Sequence, residues 1–371
     1  MKIQIWGLGY LVRTKSGTVD LDDNIMSYFK SFSGLVKALD VWLPLPKGYP
    51  PIIKNEFKIH YYQTNRFSVF LSGLRLLFNS TGSHIYLYMP AASRISFFVP
   101  LYKLLGKSLT IYLADDPYAL TASMRLSGMP FVKSTYLLLV KQYLKLADQV
   151  IVRGQYLETV ALKYNSKVNI TAPITQLVDY KGSQPFKKDK PFNIVVLGRL
   201  TWDKGFKVLL NAFAKFLIKR GRDATDYKLI IAGDGPDAKA IKDYSEQLKL
   251  KDFVIFIGWI MSKESKIQFW QKADLHVLAT INTEGVPRSI DEAIINQVPT
   301  ISSAIGGIPF EYNANEIYLV KPNDVSELVR AFEKMLDSRE YNSYQKKAEK
   351  RRNYLLSLSC AAKQHYDIIR H

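Results

Sequence analysis

The sequence predicts an α/β chain of two doubly wound domains, and three observations carry that expectation. Short apolar runs alternate with helical patterns in both halves, the mark of parallel strands with helices on both faces. The alternation breaks at the polar, proline-bracketed segment Lys181-Gly-Ser-Gln-Pro-Phe-Lys-Lys-Asp-Lys-Pro191. A length of 371 residues gives each half the size of an ordinary domain. The expected boundaries are 1–180 for the first domain, 181–191 for a linker, 192–350 for the second domain and 351–371 for a C-terminal helical segment.

In the first half the strands are read as Lys2-Trp6, Asp40-Leu43, His84-Tyr88, Ser108-Leu113 and Gln149-Val152. Helical patterns lie at Asn65-Asn79, Ser93-Leu105, Phe131-Ala147 and Tyr156-Tyr164. Asp20-Leu-Asp-Asp23 reads as a helix start, where acids suit the positive end of the dipole. In the second half the strands are Phe192-Leu197, Tyr227-Ala232, Phe253-Ile257, Asp274-Leu278 and Pro299-Ser302, with a helix over Gly205-Arg220. In open parallel sheets ligands bind beyond the carboxyl ends of the strands, and the motifs below all fall there.

Composition bounds the function classes. Hydrophobic content of 47% supports a substantial core, and the single cysteine, Cys360, excludes an internal disulfide framework or a cysteine metal cluster. The first residues, MKIQIWGLGYLVRTK, fit a strand better than a signal peptide. No stretch reaches the ~20 apolar residues of a membrane span, so the chain reads as soluble or peripheral, in a cytoplasmic setting. A net charge of +18 calls for an anionic partner. Between Glu56 and Asp148 the only acids are Asp115 and Asp116, among cations that include Arg66, Arg75, Lys103, Lys107, Lys133, Lys141 and Lys145.

The second half holds the densest chemistry. Gly198-Arg-Leu-Thr-Trp-Asp-Lys-Gly205 sets Arg199 and Lys204 on either side of a strand-to-helix turn. A guanidinium forks onto phosphate oxygens and an ammonium adds a point charge. In Thr283-Glu-Gly-Val-Pro-Arg-Ser-Ile-Asp-Glu-Ala293, Glu284 lies in a loop beside Gly285 and Val286. Pro287 suits a helix start, and Glu292 follows within that helix. Taken singly, these residues also read as solvated surface charges. Gly258-Trp259 follows a strand, with Trp259 open to a core reading too, and Gly306-Gly307 is either a ligand loop or a plain turn.

Gly198-Arg-Leu-x-x-x-Lys-Gly205, Ala232-Gly-Asp-Gly-Pro236, Phe256-Ile-Gly-Trp259, the Glu284/Glu292 pair and Gly306-Gly-Ile-Pro309 occur in one order. This order resembles the donor-binding domain of the large family of retaining, nucleotide-sugar-dependent glycosyltransferases with the GT-B fold. The resemblance is strong over about residues 190–335 and mainly architectural over 1–180. It implies two Rossmann-like domains facing across a cleft, with a last helix crossing back to the first. It implies that Arg199 and Lys204 neutralise the pyrophosphate, that Glu284 meets donor-sugar hydroxyls and that Glu292 meets the ribose. Gly198, Gly258, Gly285, Val286, Pro287 and Gly307 would line the donor. No metal or other cofactor is implied. Three positions depart from the family pattern: Gln297 stands where glycine is usual, Arg288 where an apolar residue is common, and Glu311 one residue late.

In the first half, Asp115 and Asp116 end an apolar strand and precede Pro117. The resemblance puts an acid or histidine at this strand end, facing the donor sugar. Which of the two acts is open, and a turn or cap pair is the plainer reading. Gly9, in Gly7-Leu-Gly9, is a candidate backbone contact to the donor phosphates, with Arg13 and Lys15 near it in sequence. The basic, aromatic segments Arg94-Lys103 and Phe131-Lys141 suit an anionic membrane surface; a core helix with solvated lysines is the alternative. No nucleic-acid recognition motif is present.

The resulting expectation is a retaining glycosyltransferase, peripheral at the inner face of the cell membrane. It would pass a hexosyl or N-acetylhexosaminyl group from a nucleotide sugar to a hydroxyl of a membrane-associated glycan or glycolipid. Cell-surface polysaccharide or lipopolysaccharide biosynthesis is the expected setting. The rival expectation is a catalytically inactive scaffold that binds the membrane surface.

Overall fold

A computed structural model describes residues 1–6, 11–13, 19–21, 23–45, 57–63, 71, 84–89, 98–117, 130–172, 191–221, 226–260, 262–358 and 361–370. The chain divides into two compact units, Met1–Gln176 with Leu358–His371, and Leu177–Ser357.

The first unit runs β1 (Lys2–Trp6), β2 (Leu11–Arg13), β3 (Val19–Leu21), α1 (Asp23–Ser33), β4 (Ala38–Leu45), β5 (Lys58–Gln63), β6 (His84–Met89), α2 (Val99–Leu104), β7 (Ser108–Leu113), α3 (Pro130–Leu146), β8 (Gln149–Val152), α4 (Gln155–Leu162) and β9 (Val168–Ile170). Its seven-stranded sheet has the order β5-β4-β1-β6-β7-β8-β9, parallel throughout. β2 and β3 form a separate antiparallel ribbon. Both faces of the sheet are covered. Ile85, Leu87, Leu109 and Ile111 pack with Tyr102 of α2 and Val140, Tyr143 and Leu144 of α3. Ile3, Ile5, Tyr86 and Tyr112 pack with Ile25, Phe29 and Phe32 of α1. Two-sided burial is why these strands read as nearly continuous apolar runs. The helical pattern Asn65-Asn79 lies outside the described residues, Leu71 apart.

The second unit runs β10 (Phe192–Leu197), α5 (Phe206–Arg220), β11 (Tyr227–Ala232), α6 (Ala238–Gln247), β12 (Val254–Gly258), α7 (Lys263–Lys272), β13 (Leu275–Leu278), α8 (Arg288–Ile295), β14 (Thr300–Ser303), α9 (Ile308–Glu311), β15 (Tyr318–Val320), α10 (Val325–Met335) and α11 (Ser338–Ser357). Its sheet has the order β12-β11-β10-β13-β14-β15, again parallel. Counted from its first strand, this is the 3-2-1-4-5-6 order of a dinucleotide-type fold. The first unit has the same order with one strand added. In such a sheet the crevice opens where the order reverses, here between β10 and β13.

The last helix, α12 (Ala361–Arg370), belongs to the first unit. Its buried His365 accepts or donates at Nδ1 to the hydroxyls of Tyr28 (2.9 Å) and Tyr86 (3.0 Å), and at Nε2 to Thr171 Oγ1 (2.8 Å). One imidazole thus ties α12 to α1, to β6 and to the end of β9. Burial drives its pKa down to about 3, so the ring is neutral at ordinary pH. Among the described residues no helix is long and apolar enough to cross a membrane.

Candidate donor site

The switch point of the second unit is where its charged motifs meet. After β10 the chain passes Gly198 and exposed Arg199 into a single 3-10 turn, Trp202–Lys204. Gly205 then adopts a left-handed φ of 75°. A Cβ there would lie 1.8 Å from the Ala279 carbonyl oxygen, so only glycine lets this turn rest against the end of β13. The contact is stitched by the Asp203 carbonyl, which accepts from the Ile281 N–H at 3.0 Å and lies 3.2 Å from the Thr280 hydroxyl.

That close approach delivers Lys204 to Glu284. The ammonium is ion-paired and hydrogen-bonded to Glu284 Oε1, and Thr280 Oγ1 lies 3.3 Å from the same oxygen. The backbone of Glu284 is fixed from the other side. The Gly307 N–H donates to its carbonyl at 2.7 Å. A Cβ on Gly306, whose φ is 59°, would come within 2.7 Å of the Glu284 N and O. The Gly306-Gly307 loop is therefore the seat of Glu284. Oε2 has no bonded group among the described residues, and the side chain keeps 13% of its surface exposed. The carboxylate is oriented through one oxygen and presents the other.

Glu292 is held differently. α8 begins at Arg288, with Pro287 at its N-cap position, so Arg288 and Glu292 stand one turn apart on one face. Lys266 Nζ donates to Glu292 Oε1 at 2.9 Å. Arg288 Nε is 2.8 Å from the same oxygen, an ion pair in which that N–H is not aimed along a hydrogen bond. The Trp270 indole N–H donates to Oε2 at 3.3 Å. Only 5% of the side chain remains exposed. Each oxygen of this acid takes one hydrogen bond within the protein; the ribose role is the one the family resemblance implies.

The remaining predicted positions fall around these two acids. Gly285 and Pro287 are buried and Val286 is half-buried. Gly198 and Gly258 open onto space. Trp259 is 50% exposed, which removes the core reading. Gln297 carries the left-handed φ of 55° that makes glycine the usual residue there. The Glu311 side chain is 5% exposed with Arg351 NH2 3.9 Å away, a contact within this unit that gives it a packing partner. Gly9 and Lys15 lie outside the described residues, as do the side chain of Arg13 and Cys360.

In the first unit, Asp115 and Asp116 follow β7 as expected, in unequal environments. Asp116 is 1% exposed, and the Tyr156 hydroxyl of α4 donates to its Oδ2 at 2.7 Å. Asp115 is half-buried and accepts the Asp116 N–H at 3.2 Å. Tyr136 of α3 has its phenol pKa pushed up to about 12, first by burial and then by the charges of the two aspartates. Sequence reading missed Thr280, Lys266, Trp270, Tyr136 and Tyr156. Lys266 and Trp270 come from α7, Tyr136 from α3, Tyr156 from α4 and Thr280 from the loop after β13, and no spacing rule links them to the acids near them.

Residues 180–352 match the family Glycosyl transferases group 1. The matched stretch lies within the second unit, Leu177–Ser357. Protein CapJ of Staphylococcus aureus is 30% identical over 138 residues, 37% of this chain and 33% of CapJ. Lipopolysaccharide 1,6-galactosyltransferase of Salmonella typhimurium is 29% identical over 158 residues, 42% of this chain and 40% of that protein. These alignments span well under half of the relatives' own lengths. Among solved structures, sucrose-phosphate synthase from Thermosynechococcus elongatus superposes with a TM-score of 0.77 at 17% identity, over 100% of this chain and 98% of that one. That likeness shows the two-unit GT-B fold.

Proposed function

We propose that the protein is a retaining glycosyltransferase that uses a nucleotide-sugar donor and needs no metal. The observation that carries this reading is the construction around Glu284. Its backbone is seated by Gly306-Gly307, one carboxylate oxygen is oriented by Lys204 and Thr280, and the other is bonded to no group among the described residues. A fixed carboxylate with one oxygen left to bond suits the hydroxyls of a sugar, because hydrogen bonds to an ionised acceptor are strong and directional. Exposed Arg199 supplies a forked cation for phosphate, and Lys204 shares its charge between Glu284 and the departing diphosphate. No side chain is placed as a covalent nucleophile in this reading. The match to a group 1 glycosyltransferase domain supports the same assignment.

The acceptor is a hydroxyl on a membrane-associated glycan or glycolipid, as in polysaccharide or lipopolysaccharide assembly, with the enzyme peripheral at the cytoplasmic face. Two features support that finer part. One matched relative is named lipopolysaccharide 1,6-galactosyltransferase. In the first unit, α2 and α3 expose Leu104 (82%), Leu105 (54%) and Leu138 (56%). Leu138, Lys141 and Lys145 share one helical face, and neither helix contains an acid. Apolar residues flanked by cations favour an anionic bilayer. Asp115 is assigned to the acceptor side of the reaction, with Asp116 fixed by Tyr156.

The test is turnover with a glycolipid acceptor, followed by the anomeric proton signal of the product. The reading expects release of nucleoside diphosphate and a product with the donor's anomeric configuration. An inverted product would remove the retaining mechanism; absence of transfer with every donor and acceptor tried would remove the enzyme. For the membrane part, sedimentation with anionic vesicles is expected at low salt and reduced by Lys141→Glu with Lys145→Glu.

A further inference from the structure

The segment Ala232-Gly-Asp-Gly-Pro236, which follows β11, packs against the loop that carries Arg199. The Gly198 N–H donates to the Ala232 carbonyl at 3.1 Å, the Leu200 N–H to the Asp234 carbonyl at 3.0 Å, and the Asp237 N–H to the Leu200 carbonyl at 3.1 Å. A Cβ on Gly233 would lie 1.8 Å from the Gly198 carbonyl oxygen, and one on Gly235 would lie 2.4 Å from that of Leu200. One loop thus grips both chain neighbours of Arg199, while Arg199 itself is exposed. The side chain that completes this grip is unusual for its place. Asp237 stands at the N-cap position of α6, where an aspartate ordinarily accepts an N–H of its own helix. It makes no such bond. Its Oδ2 accepts the Trp202 N–H at 3.1 Å instead, at the first residue of the 3-10 turn that ends on Lys204. α6 also meets the Trp202 ring, with Tyr244 edge-on at 5.9 Å. Departures from a local rule concentrate at functional sites.

We infer that Asp237 is a positioning residue for the phosphate end of the donor site: from the start of α6 it fixes the turn between Arg199 and Lys204, so that the two cations stand at their spacing before a diphosphate arrives. The inference rests on the nucleotide-sugar reading of this site and goes beyond it to a residue that acts through its neighbours. The far end of the same loop is held by Gly205 against Ala279, and the near end by the contacts to Gly198 and Leu200. Asp237 supplies the hold between them, at Trp202. A loop ordered in advance binds more tightly, because less conformational freedom is lost when the ligand arrives.

The experiment uses the full chain and calorimetric titration with UDP, GDP and ADP, beside a melting curve for each protein. For each diphosphate that binds the wild-type protein, Asp237→Ala is expected to bind about tenfold more weakly, the scale of one hydrogen bond to a charged group. Asp237→Asn keeps an oxygen acceptor for the Trp202 N–H and is expected to bind within about threefold of wild type. Unchanged affinity in folded Asp237→Ala, even with a lower melting temperature, would make the residue merely structural and overturn the inference while leaving the proposed function standing. An equal loss in Asp237→Asn and Asp237→Ala would overturn it as well, because the hydrogen bond would not be the cause. If Asp237→Ala does not fold, hydrogen exchange on the wild-type protein decides: the Trp202 amide is expected to be protected, and exchange at the rate of an open loop would overturn the inference. Failure of all three diphosphates to bind the wild-type protein would overturn the proposed function and this inference with it.

Discussion

The two units share one strand order and use it differently. In the second unit, the loops after β10, β13 and β14 converge on Glu284, with backbone contacts so close that glycine is required at 205 and 306. In the first unit, Asp116 after β7 is held by Tyr156 of α4, and both acids lie near enough to buried Tyr136 of α3 to raise its phenol pKa. One site is built by loop backbones at the switch point, the other by side chains reaching in from helices. The lesson is that the topology supplies a crevice in both cases, while the residues at the loop ends decide what chemistry it holds.

The comparison predicts unequal losses. Glu284→Gln and Arg199→Ala are expected to lower kcat/KM by about 100-fold, the scale of one or two charge-assisted hydrogen bonds at about 1.5–3 kcal/mol each, with little change in thermal stability. Steady-state kinetics and a melting curve for each variant check this. Activity within threefold of wild type in either would break the assignment of the switch-point site.

Acid should separate the units next. His365 and His84, in the first unit, have folded pKa values of about 3 and about 4, both depressed by burial. His276, in the second, is depressed to about 3 by burial. Depressed values mean that the unfolded chain binds the proton first. Stability is full above the unfolded value of about 6.5 and falls as pH drops below it, by up to about 1.4 kcal/mol per pH unit for each histidine. Between pH 6.5 and 4 the first unit therefore loses stability about twice as steeply from this source. Hydrogen exchange across that range is expected to show β6 and α12 opening before β13. The reverse order would contradict the account of His365 as the tie that holds α12.

Within the acid pair, Asp116→Asn should cost about 1–2 kcal/mol of stability, because it weakens the bond to Tyr156 in a buried place. Asp115→Asn should leave stability nearly unchanged and lower transfer. Chemical denaturation and kinetics on both variants sharpen which acid is structural and which faces ligand.

Much of this was legible in the sequence, and the gaps have a common cause. The strands with both faces buried were read from their apolar runs. Of those that were missed, β5, β9 and β15 lie at the edges of their sheets and β2 and β3 form the separate ribbon, where short or polar sequences such as Lys58-Ile-His-Tyr-Tyr-Gln63 lack a continuous apolar signal. At the site, Glu284 and Lys204 were picked out because motif spacing records neighbours along the chain, and the fold pairs them. The occupancy of Glu292 was not, since Lys266 and Trp270 come from α7 and only folding brings them to α8. Gln297 was noted as an exception to a glycine position, and its φ of 55° explains why. Gln297→Gly is expected to stabilise the protein by about 1 kcal/mol, the strain of a left-handed non-glycine residue. This is the smallest effect predicted, and a melting curve reads it.

The central claim is that Glu284, oriented by Lys204, is the sugar end of a donor site. A thermal-shift panel of UDP-, GDP- and ADP-sugars, each beside its free nucleoside diphosphate, tests it most directly, because a ligand that binds only the folded state raises the melting temperature. The account predicts that one nucleotide sugar stabilises the wild-type protein more than its diphosphate does, and that Glu284→Gln abolishes this difference while keeping the shift from the diphosphate. An undiminished preference for the sugar nucleotide in Glu284→Gln would contradict it.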